Sequence, residues 1–366
     1  MESYILKTSE IILKGKNRKY FEKILIENLK NKLKDNLISI QNLGGEFLVE
    51  TENDLLDKLK TILGISKIVK VEKLENLEDV INFLKKYDSI KLKVKRADKD
   101  YPLTSKEIYE RIKKELKEKI DKKGRELILE YRKGIFYAGE AHRGFGGFPV
   151  GSSGKGIVLL STGFDSPVAS FLMMKRGLKL YFLHFHSYPQ ISIEDIEKAK
   201  DLVKILNEYN IGSILYLINI LEIQKFYFSN IPSKYLVIFY RRTMFRLASR
   251  LAKELNCGCI ITGENLGQVA SQTLENMKTI ENATNLLVLR PLIGFNKEEI
   301  ISLAEIIGTK RISEKPGEDC CSLFIPKSPA TKAKLSEILE IEDKIKEKLF
   351  ELEDFAFENK EKIVYH

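Results

Sequence analysis

From residue 156 onward the chain repeats one pattern: a short apolar run, an amphipathic stretch of helical length, then another apolar run. The apolar runs lie at 156–160, 179–185, 213–219, 259–263 and 288–292. The stretches at 167–176, 193–207, 234–255, 267–277 and 297–307 have helical length and periodicity. Strands alternating with helices in this way imply a parallel sheet buried on both faces. Ligands of such sheets collect beyond the carboxyl ends of the strands. The expected α/β unit spans residues 146–366, its last 30 residues forming a charged helical tail.

The first part of the chain follows another rule. Strand-like segments at 4–7 and 47–50 flank a helix over 17–33, where Phe21, Ile24, Leu25, Asn28 and Leu29 share one face. A second mixed α+β unit follows, with helices at 55–63 and 78–87 and strands at 68–71 and 90–96. Thr104-Ser105-Lys106-Glu107 reads as a capping-box start for a basic helix running to about residue 122, and a strand over 131–138 closes the unit. The glycine-rich segment 144–154 is a connector. The expected domains are 1–56, 57–145 and 146–366, in keeping with a 366-residue chain too long for one core.

Charge separates the same regions. The chain carries +9, yet residues 1–150 hold 33 Lys/Arg against 25 Asp/Glu while the remainder holds 28 against 27. Residues 91–150 alone hold 17 against 10. One nearly neutral part beside one basic part points to a polyanionic partner for the basic one. No run of 18 uncharged apolar residues and no basic-then-apolar leader occurs, so no membrane association is expected. Four cysteines, at 257, 259, 320 and 321, make no disulfide framework, and a reducing cytoplasm is the expected location.

The apolar run 157–160 leads straight into Ser161-Thr162-Gly163-Phe164-Asp165-Ser166-Pro167. Strand, small-residue turn and helix start together make an anion site, with free backbone N–H groups and the helix dipole facing the ligand. Ser161 and Ser166 add hydroxyls, and Asp165 beside a phosphate implies a bridging Mg²⁺ or an orienting role. A purely structural turn is the alternative. Lys155 is not a triphosphate-loop lysine, because Gly156 follows it and it precedes its strand.

This turn resembles the Ser-Gly-Gly-x-Asp-Ser loop of ATP pyrophosphatases (PP-loop enzymes), which adenylate a substrate and release pyrophosphate. Its setting is similar to one family, the tRNA 4-thiouridine synthetases. The similar segments are Gly147–Lys155, Asp165–Ala169, Met173–Gly177, His184–Ser187, Thr262–Thr273 and Glu318–Cys321. Residues 96–104 resemble that family's RNA-binding THUMP domain and residues 14–18 its ferredoxin-like N-terminal domain. One departure stands out: Thr162 occupies the position of the loop's first glycine.

The resemblance implies the following expectations. ATP and Mg²⁺ are bound, with ATP contacts from Leu159, Leu160, Ser161, Thr162, Gly163, Phe164, Ser166, His184, Phe185, Arg241, Gly263 and Gln272. Arg242 is a second arginine with the reach to meet a phosphate, a salt bridge being the alternative for both. Asp165 is catalytic, and the catalytic thiol is Cys321 or Cys320, with Cys321 preferred. Cys257 and Cys259 read as buried structural thiols. RNA contacts come from Lys93, Lys95, Arg96, Lys106, Arg111, Lys113, Lys114 and Arg143, gripping the acceptor end and position-8 region of tRNA. The uridine C4 oxygen is adenylated and then replaced by sulfur. With no cysteine after 321, no C-terminal rhodanese domain is expected, and sulfur comes from a separate donor such as a cysteine desulfurase. A homodimer is expected. The alternatives are another ATP-dependent tRNA modification and a tRNA-binding protein whose loop no longer turns over ATP.

Overall fold

The computed structural model describes residues 1–317, 320, 323–324 and 328–366. The chain divides into two compact units, Met1–Pro149 and Val150–His366.

The first unit is built on one seven-stranded sheet. Its strands are β1 (Glu2–Lys7), β2 (Leu37–Asn42), β3 (Glu46–Thr51), β4 (Lys67–Leu74), β5 (Ile90–Arg96), β6 (Arg125–Arg132) and β7 (Ile135–Arg143), in the order β2-β3-β1-β4-β7-β6-β5. The expected segments 1–56 and 57–145 therefore share a sheet, joined where β1 pairs antiparallel with β4. Helix α1 (Arg18–Leu33) buries Leu25, Leu29 and Leu33 with Tyr4, Leu6, Phe47 and Val49. After α2 (Leu56–Lys60), helices α3 (Leu77–Lys85) and α4 (Ser105–Glu115) bury Val80, Leu84, Ile108 and Ile112 with Leu127, Leu129 and Phe136. The capping box at Thr104 and Glu107 is present.

Two expectations here give way. The strand expected over 131–138 is a hairpin turn between β6 and β7. Lys133 and Gly134 both have positive φ, 49° and 80°, the requirement of a tight two-residue hairpin loop. The basic helix stops at Glu115, because Leu116 leaves helical geometry before a short 3-10 turn.

The second unit carries a six-stranded sheet of β8 (Lys155–Leu159), β9 (Lys179–His186), β10 (Ser213–Asn219), β11 (Cys259–Ile261), β12 (Leu287–Leu289) and β13 (Glu361–Tyr365), ordered β12-β11-β8-β9-β10-β13. All neighbours are parallel except β10 and β13. The chain steps outward from β8 through β9 to β10, then returns to lay β11 and β12 on the other side of β8. That reversal opens a crevice beyond the ends of β8 and β11. The helices are α5 (Asp165–Lys175), α6 (Ile193–Asn210), α7 (Leu221–Asn230), α8 (Leu236–Leu255), α9 (Leu274–Glu281), α10 (Lys297–Ile306), α11 (Lys310–Ser313) and α12 (Leu335–Glu358).

The helix expected over 267–277 is instead a loop and a 3-10 turn at Ala270–Gln272. It restarts as α9 because the Thr273 side chain caps the backbone N–H of Asn276. The tail is α12 followed by β13, a strand of five residues in which two are charged and none is fully buried. Helix α12 is clamped to α8 by charge: Arg242 meets Glu342 at 2.5 Å and Arg246 meets Glu353 at 2.6 Å. Arg242 also donates to the carbonyl of Thr279 and is 2% exposed. Its role is thus to join helices, not to reach a phosphate.

Candidate nucleotide and thiol site

The strand β8 ends at Leu159, and α5 begins at Asp165, so the turn between them is five residues long. Ser166 closes it. Its hydroxyl donates to the carbonyl of Ser161 at 3.0 Å and accepts from the Ser161 backbone N–H at 2.8 Å. The expected hydroxyl donor is therefore engaged within the loop. Among the described residues, the N-cap residue of α5, Phe164, makes no side-chain capping hydrogen bond, which leaves first-turn amides to an anion. Pro167 falls within that first turn, where its missing N–H removes no helical bond.

The two loop residues that differ from or match the glycine pair are both unstrained. Neither Thr162 nor Gly163 has a positive φ. A Cβ added at Gly163 would meet only Ser161 Oγ, at 3.9 Å. The protein itself does not demand glycine there, which suits close approach by a phosphate. Gly263 is different: a Cβ would lie 2.6 Å from the Ser166 backbone nitrogen. Glycine at 263 lets the end of β11 pack on the first turn of α5.

Thr162 is buried, and its hydroxyl donates to Asp195 Oδ1 at 2.6 Å. The second Asp195 oxygen lies 3.2 Å from Nε2 of His184, whose Nδ1 contacts the carbonyl of Leu160 at 3.0 Å. His184 is 3% exposed, so its ring supports the loop from within. Nearby His186 accepts a hydrogen bond from the Tyr188 N–H at Nδ1. Burial, and then the charge of His184, push its pKa from the ordinary 6.5 down to about 4. The unfolded chain thus binds a proton that the folded chain refuses between about pH 6.5 and pH 4, and stability falls as pH drops through that window. The drop from 6.5 to about 4 corresponds to at most ~3.5 kcal/mol. Thermal melts of His186→Gln are expected to lose less stability than wild type between pH 7 and pH 4.5; parallel curves would remove His186 as the source.

Asp165 is paired. Lys297 Nζ, at the start of α10, lies 2.8 Å from Oδ1, and Gln268 Nε2 lies 3.2 Å from Oδ2. Lys297 also sits 5.3 Å from the ring centre of Phe164. Across the crevice Glu264, 1% exposed, bridges two arginines: Arg241 at 2.7 Å on Oε1 and Arg290 at 2.7 Å on Oε2. Burial alone would raise the Glu264 pKa, but the two guanidinium charges and the Arg290 and Thr262 hydrogen bonds hold it below its ordinary range. Arg241 is thereby fixed in the wall of the crevice.

Thr162, Asp165, His184, Asp195, Arg241, Glu264 and Gln268 line one cavity of about 480 Å³, within the range of small-molecule sites. Of the expected residues, Leu159, Leu160, Ser161, Thr162, Asp165, Ser166, His184, Phe185, Arg241, Gly263, Gln272 and Cys320 line it; Gly163 and Phe164 do not. The side-chain oxygen of Gln272 is buried with no hydrogen-bond partner among the described residues, which suits a ligand donor. Asp195, Glu264 and Gln268 also line the cavity; they, with Lys297, were not singled out by sequence reasoning. Cys320 is 6% exposed, and its carbonyl accepts from Gln224 Nε2 at 2.7 Å. Cys321 lies outside the described residues. Cys257 and Cys259 are buried free thiols; burial raises Cys257 to about 11. Among the described residues, no cluster of three or more His, Cys, Asp or Glu fits a metal ion.

In the first unit the basic candidates fall into two sets. Lys93 pairs with Glu126 at 3.1 Å, and Lys95 with Glu46 at 2.7 Å. Arg96 donates to the carbonyls of Tyr101 and Leu103. Glu126 lies on β6 and Glu46 on β3, and the parallel β5–β6 register also sets Lys95 opposite Glu130. Lys106, Arg111, Lys113, Lys114 and Arg143 are exposed and form no ion pair among the described residues. No described helix is long and apolar enough to cross a membrane.

The model of the family described as Thiamine biosynthesis protein (ThiI) matches residues 151–347, and that of the ThiI ferredoxin-like domain matches residues 3–69. The chain belongs to the ThiI family. ThiI relatives include the "Probable tRNA sulfurtransferase" of Caldanaerobacter subterraneus subsp. tengcongensis, 38% identical over 93% of this chain and 94% of that protein. The protein of the same description from Coxiella burnetii is 38% identical over the same shares. Among solved structures, a 4-thiouridine synthetase in complex with RNA and ATP superposes with a TM-score of 0.89 at 36% identity, covering 100% of both chains. PH1313 from Pyrococcus horikoshii Ot3, 22% identical, covers 84% of this chain and 100% of its own with a TM-score of 0.64 and shares the fold. The fold is the ThiI one, with a ferredoxin-like N-terminal domain and a parallel-sheet domain consistent with the PP-loop type.

Proposed function

We infer that this chain is an ATP-dependent tRNA sulfurtransferase that converts uridine at position 8 to 4-thiouridine. One observation carries the reading: the phosphate loop and Cys320 line the same cavity. The relatives named tRNA sulfurtransferase and the 4-thiouridine synthetase bound to RNA and ATP support it. In this reaction the uridine C4 oxygen bonds to the α-phosphorus of ATP and pyrophosphate leaves. The terminal sulfur of the donor persulfide then bonds to C4, and AMP departs with the original oxygen. The Cys320 thiolate attacks the donor sulfur, the S–S bond breaks with 4-thiouridine as leaving group, and the resulting Cys320–donor disulfide is reduced by an external thiol.

Within the cavity, the amides at the start of α5 meet the phosphates as charge develops on them. Arg241, held by Glu264, faces the same anion. Asp165 is the carboxylate that would hold a Mg²⁺ ion, in exchange for its contacts to Lys297 and Gln268; such an ion would neutralise charge on the leaving pyrophosphate. Gln272 supplies an acceptor to the nucleotide, and Leu159, Leu160 and Phe185 present the apolar wall for its base.

The remaining parts of the proposal concern partners. The exposed cations of α4 and Arg143 meet the phosphates of the tRNA acceptor end. A separate protein such as a cysteine desulfurase delivers the sulfur, the enzyme acts as a homodimer, and it works in the cytoplasm.

The deciding experiment incubates unmodified tRNA with the protein, ATP, Mg²⁺ and sulfide or a persulfide source, then separates the RNA on a mercury-containing gel. A retarded tRNA species that requires ATP is expected. Its absence, with ATP binding intact, would overturn the thiolation reading.

A further inference from the structure

Thr162 stands where the resembling loops carry their first glycine, and its side chain is not idle. We propose that Asp195 is a positioning residue for the phosphate loop, acting through the Thr162 hydroxyl. The inference rests on the reading of this cavity as the ATP site.

The contacts run in a row from Leu160 to Thr162. The firm link is the hydrogen bond from Thr162 to Asp195, while His184 Nε2 has no aligned hydrogen-bond partner among the described residues and meets Asp195 as a close charge contact. The Leu160 carbonyl meets His184 Nδ1 at 3.0 Å, His184 Nε2 lies 3.2 Å from Asp195 Oδ2, and Asp195 Oδ1 accepts from Thr162 at 2.6 Å. The row starts at residue 160 and ends at 162, where strand becomes loop, and the Thr162–Asp195 bond is what anchors the loop there. Every side chain in it is buried: Thr162 is 6% exposed, His184 3% and Asp195 2%.

Asp195 is itself fixed. It lies in the first turn of α6, where the helix dipole favours a carboxylate. Lys198, one turn on, donates to the carbonyls of Ser313 at 3.1 Å and Lys315 at 2.7 Å. A Cβ placed on Gly317 would lie 3.5 Å from Lys198 Nζ and 3.7 Å from Asp195 Oδ1. Ser313 Oγ in turn donates to the carbonyl of Gly163 at 3.1 Å. The loop is thus tied at 162 and 163 to α6 and to the segment that leads toward Cys320. Burial would raise the Asp195 pKa, yet His184, Thr162 and Lys198 together hold it below its ordinary range, so the acceptor stays charged.

A turn containing glycine samples many conformations unless something holds it. Here a charge-assisted hydrogen bond does so, keeping the loop amides aimed where phosphate charge develops. Such an anchor acts on the transition state more than on ground-state binding, so its loss falls on kcat rather than KM. On this reading Thr162→Gly is a loss, not a neutral change.

The test compares Thr162→Val, Thr162→Ser, Asp195→Ala and the Thr162→Val/Asp195→Ala double variant. Two readouts are used: tRNA-dependent pyrophosphate release, and amide hydrogen exchange of the peptide spanning 161–166 in the ligand-free protein. Thr162→Val is expected to lower kcat about tenfold with KM for ATP within about threefold, and to speed exchange in that peptide. Thr162→Ser is expected to recover most of both losses. The double variant is expected to be no slower than the slower single one, because the two residues act through one contact. Unchanged kcat and exchange in Thr162→Val, or losses that multiply in the double variant, would overturn the proposal. Should Asp195→Ala fail to fold, the valine and serine variants decide alone. Should wild type release no pyrophosphate, the ATP reading falls, and hydrogen exchange still decides whether Asp195 anchors the loop.

Discussion

Asp165→Asn is expected to lower tRNA-dependent pyrophosphate release by about a hundredfold to a thousandfold, the usual scale for removing one charge-directing group from a preorganised site. The geometry also sets the direction of the KM changes. Asp165 Oδ1 is held by Lys297 at 2.8 Å and Oδ2 by Gln268 at 3.2 Å, so the carboxylate is balanced before any nucleotide arrives. ATP brings several negative charges to this end of the cavity. Neutralising Asp165 leaves Lys297 free to meet them, and KM for ATP is expected to hold or fall while kcat collapses. Lys297→Ala does the reverse: it leaves an unbalanced carboxylate facing phosphate, and KM is expected to rise roughly tenfold or more. Steady-state kinetics over a Mg²⁺ series separates the two, since added Mg²⁺ should relieve the Lys297 defect and not the Asp165 one. If Asp165→Asn works within threefold of wild type, Asp165 is not part of the chemistry.

The contrast between Asp165 and Lys297 shows what a sequence exposes and what it hides. Asp165 is legible because the loop, its strand and its helix are contiguous, and a contiguous motif carries its own geometry. Lys297 is 132 positions away in the chain. Nothing local separates it from the other charged residues that open α10. Asp195 and Glu264 hide for a related reason: both are buried carboxylates whose partners arrive from other elements. Adjacent Arg241 and Arg242 looked equivalent, yet successive helix positions diverge by about 100°. One therefore faces the cavity and the other faces α12. Apart from the stretch 267–277, the alternation of strands and helices in residues 156–307 was legible because fully buried parallel strands are unbroken apolar runs. The β6–β7 hairpin and β13 were not. In the first, one short Lys-Gly turn interrupts a continuous β-rich run. In the second, an edge strand needs only one neighbour, β10, and carries no apolar run to announce it.

Cys320→Ser is expected to abolish formation of 4-thiouridine, a loss of at least a hundredfold on the mercury gel, while sparing the first half-reaction measured as pyrophosphate release. Cys320 lines the cavity, while the phosphate loop is closed by Ser166 on Ser161, so adenylation is expected to proceed without the thiol. Its placement is specific. The Cys320 carbonyl is gripped by Gln224, which is fully buried and hydrogen-bonded in turn to Ser187 just beyond β9. Residue 320 is therefore referenced to the same sheet end that carries His184 and Phe185. A nucleophile needs such referencing, because a displacement of about 1 Å costs roughly a hundredfold in rate. Gln224→Leu should then reproduce part of the Cys320→Ser defect, slowing thiolation more than pyrophosphate release. Cys321→Ser is the necessary companion, since sequence resemblance favoured that neighbour. Normal thiolation by Cys320→Ser together with a dead Cys321→Ser would move the sulfur chemistry by one residue. If both single variants thiolate normally, neither thiol is needed to break the S–S bond, and an external thiol must break it directly.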